Sequence, residues 1–392
     1  MTDHITLKEL IRANIRQGGI FIAFVAIVIL FAALNPAFLS PINLTNIVLQ
    51  YSYILILAIG MLFVIVLGQI DLSVGSIVAV TGALSAVLVV KMGYPWWMGV
   101  IAALLLGIAI GAFQGFWVAY MGIPGFIVTL AGMLLFRGLT FNVLSNVSVS
   151  PFPKEYFNIA NGFLNGLLGG PGFDVFTLVI FAIAVVGFTF QQWRQRMASI
   201  EYNQAVEALW IFIVKIVAVA VVVMLFAFQL ASARGLPIVL ILLALLILIY
   251  GTISQSTVFG RNVYAIGGNK SAARLSGINV RGVSFWVYVN MGFLAAIAGV
   301  VYSARMNGAQ PSAGNMFELD AIAACFIGGA STTGGVGRIA GAMIGGLIMA
   351  VMSNGMQLMG ASTSTQQIVK GAVLLLAVAF DVYNKRRAGS LA

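Results

Sequence analysis

The chain has 392 residues, 61% hydrophobic and only 8% charged, with a net charge of +10 and a mean hydropathy of +1.07. A soluble domain carries roughly 25% charged residues, so a water-exposed surface of this size is excluded. The basic balance follows the bias of Lys and Arg toward one face of a membrane and requires no nucleic-acid partner.

Twelve hydrophobic segments follow one another: 20–34, 47–67, 73–90, 97–119, 124–144, 175–191, 211–231, 236–252, 283–304, 318–329, 336–357 and 364–381. A spanning helix needs about 20 mostly apolar residues. The runs are continuously apolar, whereas porin strands alternate. The expected fold is therefore all-α, a polytopic transmembrane bundle of ten to twelve spans. The stretch 318–329 is too short to span and reads as a half-helix; 73–90 is the other weak segment. The membrane domain is expected over 20–384, between tails at 1–19 and 385–392.

Lys8, Arg12 and Arg16 precede the first segment, but no small-x-small cleavage site follows and Asn35-Pro36 closes it. An uncleaved first helix is expected. With the N-terminus inside, Lys91, Arg137, Lys154, Arg234, Arg305 and Lys370 fall toward the outer side and the other 14 of the 20 Lys and Arg near the inner side. That asymmetry places both termini in the cytoplasm of a bacterial inner membrane. The stretch 145–174 is then external, suited to rest on the membrane surface or to touch an external partner.

Glycines recur every four residues at Gly107, Gly111 and Gly115 and at Gly337, Gly341 and Gly345. Small residues at that spacing let helix backbones approach closely, within one subunit or at a dimer seam. A weak internal repeat relates 67–76 to 327–341: each is an apolar helix, a Gly/Ser-rich break and a new helix. Transporters often carry such broken helices beside the pathway.

No phosphate-loop motif, His-Glu-x-x-His or paired Cys/His set occurs, so no catalytic or metal site is expected. The sole cysteine, Cys325, excludes an intrachain disulfide and a thiolate cage, and the sole histidine, His4, lies in the polar tail. Asp71 is the clearest ionisable group at membrane depth. Asp71 or Ser73 suits the N-cap of a helix starting near Val74, and irregular backbone there is tolerated where it lines a cavity. Glu318 and Asp320 suit a helix N-terminus. Lys370 reads as snorkelling outward. In the polar stretch 254–282, Asn269 is a good N-cap, Lys270 to Ser276 form two turns and Gly277 a C′ residue. A short cytoplasmic helix is expected there, either an ordinary surface helix or one that docks on an ATPase.

Ile70-Asp71-Leu72-Ser73-Val74-Gly75-Ser76 resembles the signature of bacterial monosaccharide ABC-importer permeases for ribose, xylose, arabinose or galactose. Pro124-Gly125-Phe126-Ile127-Val128-Thr129-Leu130 with Phe136-Arg137-Gly138 resembles a second block. Tyr264-Ala265-Ile266-Gly267-Gly268-Asn269 and Ala272-Ala273-Arg274-Leu275-Ser276-Gly277-Ile278 resemble a third. Pro311-Ser312-Ala313-Gly314, Glu318-Leu319-Asp320, Gly334-Gly335-Val336-Gly337 and Asn354-Gly355-Met356 complete the likeness. The stretch 175–233 is an added helix pair that ribose-type permeases lack and the xylose permease shares, which places this chain nearest the xylose or multiple-sugar branch.

The resemblance implies a fold like the vitamin-B12-permease type and a homodimer around a central pathway. An external binding protein delivers the sugar, and a cytoplasmic ATPase binds ATP and Mg, so this chain itself needs no cofactor. Coupling is expected at Gly267, Gly268, Asn269, Ala272, Ala273, Arg274, Leu275, Ser276, Gly277 and Ile278. Candidate pathway residues are Asp71, Ser73, Gly75, Ser76, Gln50 and Asn354. A permease for another small solute, such as a nucleoside or autoinducer-2, and an ion-coupled secondary transporter are the alternatives.

Overall fold

The structure is a computed structural model that describes residues 4–5, 15–170, 172–202, 204 and 206–387. Most of the two expected tails lies outside the described residues. In chain order the helices are α1 (Ile15–Leu34), α2 (Pro41–Val66), α3 (Val74–Ala86, continued by a π turn to Lys91), α4 (Trp96–Ala119) and α5 (Gly125–Leu144). Then come α6 (Lys154–Asn161), α7 (Val175–Glu201), α8 (Leu209–Ala233), α9 (Ile238–Ser256), α10 (Val258–Gly268) and α11 (Lys270–Leu275). The last are α12 (Val280–Met306), α13 (Phe317–Ile327), α14 (Ile339–Leu358) and α15 (Thr363–Arg387).

Each expected hydrophobic segment holds a helix. Among the described residues nine are long and apolar enough to cross a membrane, with shorter apolar helices at Gly19–Leu34 and Thr363–Ala379. The remaining segment is α13, a half-helix of 11 residues.

Burial sorts these helices. In α2, 89% of the apolar window is inside the protein; in α7 and α8 the figures are 6% and 11%. So α2 is the centre, packed against α12, α13 and α14, while α7 and α8 form a peripheral hairpin that reaches the bundle through α8. Asp174 starts that hairpin, its Oδ2 accepting from Thr177 N (2.9 Å) and Thr177 Oγ1 (2.5 Å).

The glycine repeats pack within the subunit. A Cβ added at Gly111 would lie 2.4 Å from Tyr288 O, one at Gly292 2.2 Å from Gly107 O, and one at Gly345 2.0 Å from Ala324 O. Helix α4 thus lies directly on α12, and α14 on α13, at a separation that side chains forbid.

The stretch 145–174 folds back on the bundle. Tyr156 of α6 is fully buried and its hydroxyl pairs with Ser303 Oγ at 2.9 Å, while Phe163–Leu164 pairs antiparallel with Leu236–Pro237.

After α12 the chain runs without helix from Asn307 to Met316, enters α13, and reaches α14 through the turn 328–338. Buried backbone without helix must find its hydrogen bonds elsewhere in the protein. Arg137 of α5 supplies two of them, its Nη1 donating to Pro311 O (3.3 Å) and to Ala313 O. Lys370 does not snorkel outward: its Nζ donates to both carboxylate oxygens of Asp320 at 3.0 and 3.1 Å, tying α15 to the half-helix. Within an apolar medium a partner of opposite charge outweighs a longer reach to water.

Candidate functional site

Between α2 and α3 the chain leaves helical geometry over Leu67–Ser73 and resumes inside the protein. Asp71 and Ser73 are both completely buried. Asp71 Oδ1 accepts from Ser73 N (2.8 Å) and from Ser73 Oγ (2.6 Å). Ser73 occupies the N-cap position but makes no side-chain cap bond: its backbone there is helical rather than extended (φ −87°, ψ −11°), unlike that of a capping residue. Of the two expected caps, Ser73 makes none, while Asp71 accepts a backbone N–H just before α3, as a local carboxylate turn. Ser73 Oγ in turn accepts from Gln114 Nε2 of α4 at 2.7 Å.

Three polar atoms around this break have no hydrogen-bond partner among the described residues: Asp71 Oδ2, Gln114 Oε1 and the Tyr288 hydroxyl of α12. Tyr288 is wholly buried. Its hydroxyl lies beside Gly125, where an added Cβ would meet it at 2.1 Å. Gly125 N donates to Gln69 Oε1 at 3.0 Å, and Thr129 Oγ1 donates to Ile70 O at 3.3 Å. Two blocks of the sequence likeness, 70–76 and 124–138, thus meet at one polar break.

Gly75 packs against the other non-helical strand. A Cβ there would lie 2.1 Å from Gly314 O and 2.5 Å from Glu318 Oε2, and one on Gly314 only 1.9 Å from Gly75 O. Ser76 is buried with its Oγ unpartnered, and Gln50 Oε1 is likewise without a partner. Asn354 is placed elsewhere: it exchanges amide hydrogen bonds with Asn43 at 2.8 and 2.9 Å, near the start of α2. A helix of this length puts that pair about 35 Å from the Leu67–Ser73 break at 1.5 Å per residue.

The stretch 254–282 carries two helices, α10 and α11. Helix α11 matches its sequence signals closely. Asn269 Oδ1 accepts from Ala272 N (2.9 Å). At the far end Gly277 has φ +83°, with Gly277 N to Arg274 O and Ile278 N to Ala273 O both at 3.1 Å, the glycine-terminated cap in full. Ala273 is buried as its anchor. Gly268, Asn269, Ala272, Arg274, Leu275 and Ser276 are exposed, and Ile278 is half-buried. Leu275 is 89% exposed, a lone apolar tip.

Gly267 links this helix to both breaks. An added Cβ would stand 1.7 Å from Val66 O and 2.7 Å from Gly335 N. Gly335 N donates to Val66 O at 2.8 Å, and Tyr264 of α10 donates to Gly337 O at 2.7 Å. So the 67–76 and 327–341 breaks, similar in sequence, touch each other at the base of the α10–α11 unit. Gln69, Gln114 and Tyr288 were not singled out by sequence. The signal for Gln114 was present, as a lone amide in an apolar helix.

Asp71 offers a direct check on the break. Asp71→Ala removes the acceptor for two buried donors, at about 1–3 kcal/mol each, whereas Asp71→Asn keeps Oδ1. Thermal melting of the purified protein is expected to drop strongly for alanine and little for asparagine. Equal losses would mean that charge, not the acceptor, holds the turn.

The sequence model of the family described as branched-chain amino acid transport system / permease component matches residues 43–378. The xylose transport system permease protein of Escherichia coli K12 is 42% identical over 376 residues, covering 95% of this chain and 93% of that protein. Its Haemophilus influenzae counterpart is 42% identical over 94% of this chain and 97% of its own. The ribose import permease protein of Escherichia coli K12 is 36% identical over 96% of both chains. No solved structure matches. With a family match over most of its length and relatives at this identity, the chain belongs to this permease family, a multi-pass membrane component of a transport system rather than a catalyst.

Proposed function

We propose that this chain is the membrane permease of an ATP-driven importer for a monosaccharide, D-xylose or a closely related pentose or hexose. The observation that carries the reading is 42% identity to the xylose transport permease over nearly the whole chain. In this reading two copies form the pathway in the bacterial inner membrane, with both termini cytoplasmic. A separate ATPase binds ATP and Mg on the α11 side, and an external sugar-binding protein engages the other. The exposed Leu275 at the tip of α11 suits docking into a pocket of the ATPase, since interface energy concentrates in a few buried anchors. The contacts of Gly267 with Val66 and Gly335 give α11 a rigid path to both helix breaks.

The test is D-xylose uptake by proteoliposomes holding this chain, its ATPase and its binding protein, with and without ATP. Leu275→Asp is expected to leave the permease's own thermal stability unchanged, since the side chain touches solvent. It should weaken co-purification of the ATPase by 2 kcal/mol or more, about thirtyfold, and abolish uptake. Uptake by this chain alone, driven by an ion gradient and indifferent to Leu275, would overturn the reading in favour of a secondary transporter.

A further inference from the structure

A cavity of about 360 Å³ opens beside the Leu67–Ser73 break, bounded by Gly68 and Gln69, by Gly125 and Phe126 in the first turn of α5, and by Phe326 and Thr332 around the end of α13. The volume falls at the small end of ligand pockets, roughly 300–1,000 Å³. Among the described residues none of its lining side chains is charged. A charged solute would enter with no counter-charge, which is costly away from water. A neutral solute with many hydroxyls meets a different wall. Gln69 engages Gly125 N through its Oε1, which leaves its Nε2 available to donate, and Thr332, on an exposed turn, adds a hydroxyl-bearing residue to the wall. The rings of Phe126 and Phe326 supply apolar faces for the carbon-bound hydrogens of a sugar ring. Directly behind Gly125 stands the unpartnered Tyr288 hydroxyl. Tyr288 is fully buried and is not part of the cavity wall, so its hydroxyl marks a polar layer behind that wall.

We propose that this cavity is a transient binding site for one neutral monosaccharide, the station it occupies before leaving on the α11 side. The proposal rests on the importer reading and adds a selective step within the permease itself. The site adjoins the junction of Gly267 with Val66 and Gly335, since Gly68 N lies 3.0 Å from the position a Cβ would take on Gly334. Displacement of α10–α11 therefore changes the wall that holds the sugar.

Thr332→Cys in the full complex tests the site, with Phe126→Cys as a second reporter. This chain adds no background, because its single native thiol, Cys325, is fully buried; the complex carrying the native chain, treated with the same reagents, accounts for thiols on its partners. Reaction with benzyl methanethiosulfonate is expected to cut ATP-driven D-xylose uptake about tenfold, equivalent to blocking a site worth 1.4 kcal/mol or more. The methyl reagent should leave most uptake intact, and saturating D-xylose should slow labelling severalfold. Labelling indifferent to D-xylose, with uptake surviving the benzyl adduct at both positions, would overturn the site while the importer reading stands. A wild-type complex that takes up no sugar with ATP would instead overturn the importer reading itself.

Discussion

Gly267→Ala is expected to disable the protein, while Gly268→Ala, one residue on, is expected to leave it unchanged. An alanine Cβ at position 267 would sit 1.7 Å from Val66 O and 2.7 Å from Gly335 N; at position 268 nothing lies within 4 Å. Overpacking of this kind costs about 1–3 kcal/mol and occasionally more. The upper end applies because the obstacles are backbone atoms already hydrogen-bonded to each other at 2.8 Å, and neither can rotate away as a side chain would. The strain has two outlets. Either the melting temperature falls by several degrees, or α10–α11 lifts from the breaks and ATP hydrolysis continues without import. Measuring melting, ATPase activity and uptake for both variants separates these. Equal behaviour of the two variants would mean that the α10–α11 unit is not seated on the breaks.

Arg137→Met is the second large effect. Arg137 donates to Pro311 O and Ala313 O from a half-buried position. Methionine fills a similar volume but donates nothing, so two carbonyls of non-helical backbone lose their side-chain donor inside the protein. Each unsatisfied buried group costs about 1–3 kcal/mol in protein. The loss falls on the strand that packs Gly314 against Gly75, so the start of α3 should loosen with it. Proteolysis in the 307–316 segment and the melting temperature should both report it. Arg137→Lys should be intermediate, because one ammonium reaches a carbonyl without the spread of a guanidinium. A methionine variant as stable as the native protein would show that the carbonyls find other donors.

The sequence signals divide by their physical range. The twelve apolar segments, the half-helix at α13 and the capped helix α11 were legible because hydropathy and capping act within a few residues. The glycine repeats were legible as close-packing surfaces, though not as the particular pairing of Gly111 with α12 and Gly345 with α13. Lys370 was misread because its partner, Asp320, lies 50 positions away. The partner of Asn354 was not legible either, because Asn43 lies 311 positions away. Ser73 looked like a cap, but its Oγ accepts instead from Gln114 Nε2, 41 positions away on α4.

By itself the sequence determined which stretches enter the membrane, where helices must break, and which short helix stands free of it. Those properties depend on each segment's own transfer from water and its own backbone donors and acceptors. Only the tertiary structure decided that the two breaks touch, that Gly267 is wedged between them, and that an uncharged cavity opens beside Gln69. These depend on backbones approaching within contact distance across long sequence separations, and glycine permits that approach without specifying its partner.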